Sequence, residues 1–213
     1  MIAVLLSITA IIAYMMGSLN TTIIASHFVF HCDLFAYSRD NVGITKFEKR
    51  FGKKGMAILL GMEAVKSMLP VLIGGWLMSI VDQAVLGRCF ALFCVMMGTT
   101  FPIMFKFKGE PSIVAFAAGL LCVKLSMGLA IIAIGAAVYF ISRYVSLTAI
   151  SGAFLAFVIS IVSLEGEWTH RLLFLCFVIV LIEYRKSIVP IIKGTEPKFI
   201  YKKDISYMFD DDF

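Results

Sequence analysis

Two charged side chains, Glu63 and Lys66, stand three residues apart inside the apolar run Met56 to Val81. At that spacing they share one face of a helix, and a charge inside a bilayer is costly unless an opposite charge or an anionic ligand meets it. The pair reads either as a mutually neutralised contact facing a helix bundle or as a cation placed near an anionic substrate. The stretch Ser38-Arg39-Asp40-Asn41-Val42-Gly43-Ile44-Thr45-Lys46 combines hydrogen-bond donors, two basic groups and a permissive glycine. Such a loop can fold around a phosphate, although a solvated basic loop explains it equally well. Arg143 opens the run Arg143-Tyr144-Val145-Ser146-Leu147 at the start of an apolar segment. On a helix, Ser146 would share its face and help hold a phosphoryl or acyl oxygen, unless the arginine only snorkels to anionic headgroups. Gly17-Ser18-Leu19-Asn20-Thr21-Thr22 interrupts the first apolar run with small polar residues, which serve close helix packing or face a substrate.

Other chemistries find no support. His27, His31 and His170 are scattered, without carboxylates at metal-ligand or triad spacing, so no metal is expected. Cys32, Cys89, Cys94, Cys122 and Cys176 are odd in number, contain no Cys-x-x-Cys pair, and read as buried thiols. No phosphate-binding G-x-x-x-x-G-K-[ST] loop and no G-x-G-x-x-G turn occurs. No cofactor is expected.

The elements that hold these groups follow from hydropathy. Of 213 residues, 61% are hydrophobic and 15% charged, with a mean hydropathy of +0.96. That composition belongs to a membrane protein and leaves no room for a soluble domain of ordinary size. The net charge of +5 points to cytoplasmic loops and anionic headgroups rather than nucleic acid. Apolar stretches cover Met1 to about Phe30, Met56 to Val81, Cys89 to Phe105, Ile113 to Ile141, Val145 to Leu164 and Leu172 to Ile192. The first lacks the basic start of a secretory signal and is expected to be a retained span.

Basic residues concentrate between Arg39 and Lys54, at Lys106 and Lys108, and between Arg185 and Lys203, which places those segments inside the cell. The links around Asp82 and Glu165-Gly166-Glu167 are acidic and belong outside. If Lys106 and Arg143 are both cytoplasmic, the chain between them crosses an even number of times, so Ile113 to Ile141 must be two short helices of about 14 residues turning near Lys124. The expectation is an all-α bundle of seven transmembrane helices, amino terminus outside and carboxyl terminus cytoplasmic. Residues 1–199 would form one domain and 200–213 a polar tail.

In this order the segments resemble the bacterial acyl-phosphate glycerol-3-phosphate acyltransferases, integral membrane enzymes of phospholipid synthesis. The resemblance runs over about residues 15–199. It rests on Gly17-Ser18, on Asn41, Gly43 and Thr45 of a loop usually reading S-G-N-I-G-A-T-N, and on Glu63 with Lys66 where the family has D-x-x-K-G. Phe101-Pro102, Phe107-Lys108-Gly109, the Arg143 to Leu147 run, Arg185, and Gly194-Thr195-Glu196 followed by Lys198-Phe199 continue it.

The resemblance implies transfer of an acyl group from acyl phosphate to the 1-hydroxyl of glycerol 3-phosphate in the bacterial plasma membrane. Lys66, Lys108, Gly109, Arg143 and Arg185 would then bind phosphates. Asn41, Thr45 and Ser146 would orient the reacting oxygens, with Gly43, Glu63 and Glu196 in support.

The chain also departs from the pattern. The family's G-H-x-F-P appears as Gly98-Thr99-Thr100-Phe101-Pro102, its F-K-G-G-K-G continues as Glu110-Pro111-Ser112, and Tyr184 precedes Arg185 where histidine is common. Arg39 and Lys46 stand where Ser and Asn are usual. These changes fall where phosphates would bind, and Glu110 opposes a dianion. Two further readings therefore stay open: a catalytically impaired paralogue that binds lipid phosphate or a protein partner, and a small transporter with Glu63 and Lys66 on its path.

Overall fold

The structure, a computed structural model, describes residues 1–28, 44–103 and 113–192, with the side chains of Ser26, Phe28, 44–53 and 186–192 outside that description. The described residues form eight helices: α1 (Ile2–Ser18), α2 (Thr21–Phe28), α3 (Ile44–Ser79), α4 (Ala84–Thr100), α5 (Ile113–Val123), α6 (Leu125–Ser142), α7 (Val145–Ser163) and α8 (Glu167–Ile192). An all-helical solution is what lipid demands, because a helix satisfies its backbone hydrogen bonds within the segment. The segments Lys54–Ser79, Leu125–Ser142 and Val145–Ser163 are long and apolar enough to cross a membrane. The outer surface is apolar as well: Trp76, Ile141 and Val162 are largely exposed.

Helix α4 is the centre of the bundle, with Cys89, Ala91, Leu92, Val95 and Met96 buried along it. It packs against α1, α3, α5 and α8, while α5, α6, α7 and α8 follow one another side by side. Small residues allow the approach. A Cβ on Gly74 would fall within 3 Å of Thr9, Ala91 and Gly87, which is where α1, α3 and α4 meet. A Cβ on Gly17 would stand 2.5 Å from the Val95 carbonyl oxygen, so Gly17 serves close packing. Cys89, Cys94, Cys122 and Cys176 are free, buried thiols.

The long fourth apolar segment is divided at Lys124, as its charge requires, although the two helices are unequal, 11 and 18 residues in place of two of about 14. At 11 residues α5 is only about 16 Å long, and its carboxyl-terminal carbonyls end within the bundle. Arg88 from α4 donates to two of them, Cys122 O at 3.2 Å and Val123 O at 3.4 Å. Lys124 Nζ in turn donates to Ser163 O, at the end of α7, at 2.7 Å. Cations placed at helix carboxyl termini satisfy orphan carbonyls and complement the dipole.

Three expectations are corrected. The first apolar run is two helices, because Leu19 is extended and Asn20 restarts the chain. Thr45 and Lys46 belong to the first turns of α3 and not to a loop; from Ile44 onward Phe47 and Phe51 recur at helical spacing among charges, an amphipathic extension of the span. Arg143 does not open a helix. It closes α6 in a left-handed conformation (φ 60°), its N–H bonded to Tyr139 O at 2.7 Å. Arg143 and Ser146 therefore share no helical face.

The packing is directly testable. A Cβ on Gly98 would stand 2.5 Å from the Tyr14 carbonyl oxygen, whereas one on Gly61 meets nothing within 4 Å. Gly98→Ala is expected to lose about 2 kcal/mol of stability in detergent. Gly61→Ala is expected to lose none. Thermal unfolding of the two variants measures the difference.

Candidate active site

The carboxyl-terminal ends of α1 and α4 lie together, fixed by the Tyr14 hydroxyl, which donates to Phe101 O at 2.6 Å. Beside them α1 breaks. Leu19 turns out of the helix, and Asn20 caps α2 by accepting from the Ile23 N–H at 3.2 Å. The Leu19 carbonyl freed by the break accepts from Lys66 Nζ of α3 at 3.1 Å. Lys66 also pairs with Glu63 at 2.9 Å, and their side chains are only 10% and 13% exposed. The cation is thus neutralised and tied to a helix end, which bears out the bundle-facing pair. Ser18 and Thr21, on either side of the break, are buried, and their hydroxyls have no hydrogen-bond partner among the described residues.

Across α4 a second polar contact joins α8. Thr100 Oγ1 reaches Met96 O of its own helix at 2.8 Å and hydrogen-bonds Glu183 Oε1. Thr99, at the position of the family's histidine, is buried and donates to Met96 O at 2.9 Å, so its hydroxyl is engaged within its own helix. Glu183 and Tyr184 line a cavity of about 10 Å³ whose other walls are Met96, Ile113, Phe116, Ala149 and Val180.

Ile113, Phe116 and Ala149 are also walls of a much larger cleft, about 420 Å³, between α5, α6 and α7. Its lining is almost wholly apolar: it begins at Ile113, Tyr139 and Thr148 and continues to Leu121 and Ile131. Eight residues of helix separate Ile113 from Leu121, a depth of about 12 Å. Gly135 and Gly152 on facing helices lack the side chains that would fill it. The cleft has the depth and apolar lining that suit a flexible hydrocarbon chain.

Of the residues singled out from sequence, Glu63 and Lys66 meet on the α1 side of α4. Ser146 is buried in the first turn of α7, one turn before Ala149. Arg143 and Arg185 are exposed, Arg185 directly following the buried Tyr184. The side chain of Thr45 lies outside the description, as do Asn41, Gly43, Lys108, Gly109, Glu110, Pro111, Ser112 and Glu196 entirely. The cleft and the Thr100–Glu183 contact were not read from the sequence. A carboxylate late in an apolar helix was the available signal for Glu183, since intramembrane acids are expensive.

Residues 7–194 match the family model described as Glycerol-3-phosphate acyltransferase. Proteins named glycerol-3-phosphate acyltransferase are similar along nearly the whole chain. The one from Thermoanaerobacter sp. (strain X514) is 29% identical, over 93% of this chain and 98% of its own length. That from Pseudomonas savastanoi pv. phaseolicola (strain 1448A / Race 6) is 30% identical, over 89% and 96%. The fold resembles the crystal structure of PlsY (YgiH), an integral membrane glycerol 3-phosphate acyltransferase. In its lysophosphatidic acid form the TM-score is 0.76 at 20% identity, covering 92% of this chain and 95% of that one. In its glycerol 3-phosphate form the TM-score is 0.73, again at 20% identity, covering 92% and 96%.

The Glu63–Lys66 contact yields a prediction. Among the described residues, Lys66→Met leaves Glu63 with no counter-charge and Leu19 O with no side-chain donor, and is expected to cost about 3 kcal/mol. The double variant Glu63→Gln, Lys66→Met removes both charges and is expected to recover most of that loss. Unfolding of the single and double variants in detergent decides it.

Proposed function

The chain belongs to the glycerol-3-phosphate acyltransferase family, and on that footing we propose that it moves an acyl group from acyl phosphate to the 1-hydroxyl of glycerol 3-phosphate, releasing phosphate and forming lysophosphatidic acid for phospholipid synthesis. One observation carries the reading: an apolar cleft sized for a hydrocarbon chain begins at Ile113 and Ala149, beside the partly buried Thr100–Glu183 contact. One PlsY structure is the lysophosphatidic acid form and the other the glycerol 3-phosphate form, and we assign both ligands to this chain.

The donor's acyl chain lies in the α5–α7 cleft, which puts its carbonyl carbon near Ile113 and Ala149. Its phosphate and that of glycerol 3-phosphate are held by Arg143, Arg185, Lys108 with the Gly109 backbone, and the remaining N–H of Lys66. Asn41, Thr45 and Ser146 orient the acceptor and acyl oxygens, with Gly43, Glu63 and Glu196 in support. Holding the two substrates in line removes much of the entropic barrier, and cations offset the charge on the departing phosphate. No cofactor enters this reaction.

The bundle spans the bacterial plasma membrane seven times. α1 with α2 makes the first crossing, and each of α3 to α8 makes one. The amino terminus is outside, the carboxyl terminus is cytoplasmic, residues 1–199 are the single domain and 200–213 the tail. The Lys124 turn between α5 and α6 and the basic segments supporting one face underlie this count.

Transfer of labelled acyl phosphate to glycerol 3-phosphate by the purified protein tests the activity. Glu110→Gly, Pro111→Lys, Ser112→Gly restores the family's loop and is expected to raise the rate about 100-fold, by analogy with single oxyanion donors. Thermal stability should change little. No gain, with glycerol 3-phosphate still bound, contradicts the enzyme reading and favours a binding protein. For the topology, a cysteine at Glu167 should react with an external thiol reagent and one at Lys46 should not. External labelling of both overturns the orientation.

A further inference from the structure

The glycines of the bundle are of two kinds. A Cβ on Gly17, Gly74, Gly87, Gly98 or Gly128 would come closer than 3 Å to a neighbouring helix, so packing demands glycine at each. Gly135 of α6 and Gly152 of α7 differ. A Cβ on Gly135 would meet only Thr148 Cγ2, at 3.5 Å, and one on Gly152 only Ile131 Cγ2, at 3.8 Å, both ordinary van der Waals contacts. Each lies inside a helix, where glycine is less favourable than alanine. Helix propensity and packing would therefore both accept a side chain at these two positions. What the glycines leave open is the α5–α7 cleft, whose inner wall they line and in which both are buried.

Gly152 is the deeper of the two. Gly135 faces Thr148 and Ile131 faces Gly152, an antiparallel register that puts Gly152 one turn farther than Thr148 from the mouth of the cleft. On α7, Ser146, Ala149 and Gly152 follow one another at every third residue and are all buried. One face of the helix thus leads from the serine assigned to the reacting oxygens down into the cleft.

We propose that Gly152 is a specificity-determining residue, whose missing side chain is the room through which a long acyl chain passes toward Leu121, so that the donor is a long-chain acyl phosphate. The proposal rests on the acyltransferase reading above and adds to it the class of donor. With the acyl carbonyl near Ala149, Gly152 stands three residues further along α7, about 4.5 Å. A short chain stops before that level and a long one must pass it. Lipid and cleft are equally apolar, so length is selected by room and not by hydrophobic gain. A valine at this position sets two methyl groups in the path of the chain, and its branched side chain has little rotamer freedom in a helix with which to withdraw them.

The test compares wild type and Gly152→Val with butanoyl and hexadecanoyl phosphate as donors to labelled glycerol 3-phosphate in detergent. Gly152→Val should lower kcat/KM for hexadecanoyl phosphate about tenfold, the low end for a misfit in an apolar pocket. It should leave kcat/KM for butanoyl phosphate and the KM for glycerol 3-phosphate within about threefold. An unchanged kcat/KM for hexadecanoyl phosphate, an equal loss with butanoyl phosphate, or a glycerol 3-phosphate KM that rises as much overturns the proposal and leaves the enzyme reading intact. Where wild type does not transfer butanoyl phosphate, the glycerol 3-phosphate KM is the reference that chain length does not touch. If Gly152→Val does not fold, Gly152→Ala is read in the same way: a smaller loss confined to hexadecanoyl phosphate is expected, and no loss overturns the proposal. A wild type that transfers neither donor overturns the acyltransferase reading and the proposal with it.

Discussion

A helix that ends inside a hydrocarbon layer leaves carbonyls with no water to receive them, and each unpaired group costs several kcal/mol. This bundle ends several helices against long side chains that neighbouring elements supply. Lys66 serves the break after α1, Arg88 the end of α5, Lys124 the end of α7, and the Tyr14 hydroxyl the end of α4. These cations are therefore part of the scaffold. Lys66 in particular has Glu63 and Leu19 O as partners, whereas Arg143 and Arg185 are exposed.

These ties divide the molecule into two halves with different jobs. Around α4, glycines at 17, 74, 87 and 98 bring α1 and α3 into backbone contact and leave no space. Around α5, α6 and α7 the fit is loose: a helix of 11 residues and facing glycines leave a cleft of about 420 Å³. The rigid half fixes the end of α4, and Thr100 there fixes Glu183. On the reading proposed above, the open half receives the acyl chain.

Where a local pattern forced the structure, the sequence was enough. A lysine at the middle of a 29-residue apolar run required a turn, and a turn occurs at Lys124; Glu63 and Lys66 at helical spacing required a pair, and they pair. Contacts between residues far apart in the chain left no local trace. Thr100 and Glu183 are 83 residues apart, and Arg88 and Cys122 are 34 apart, so nothing in their surroundings names the partner. The cleft was hidden for a similar reason, since it is made by what Gly135 and Gly152 lack once α6 and α7 face each other. Arg143 misled because its neighbours read as the start of a span, while its backbone turns left-handed to finish the span before.

The central claim is that the α5–α7 cleft holds the acyl chain with its reactive end at Ile113 and Ala149. An acyl phosphate carrying a photoreactive diazirine at the far end of its chain, activated in bilayers containing the protein and mapped by mass spectrometry, measures this directly. Cross-links should fall on Leu121, Ile131 and Ile132 and be competed away by unlabelled acyl phosphate. Cross-links confined to the lipid-facing residues Val4, Ile11 and Val162, or unaffected by the competitor, would contradict it.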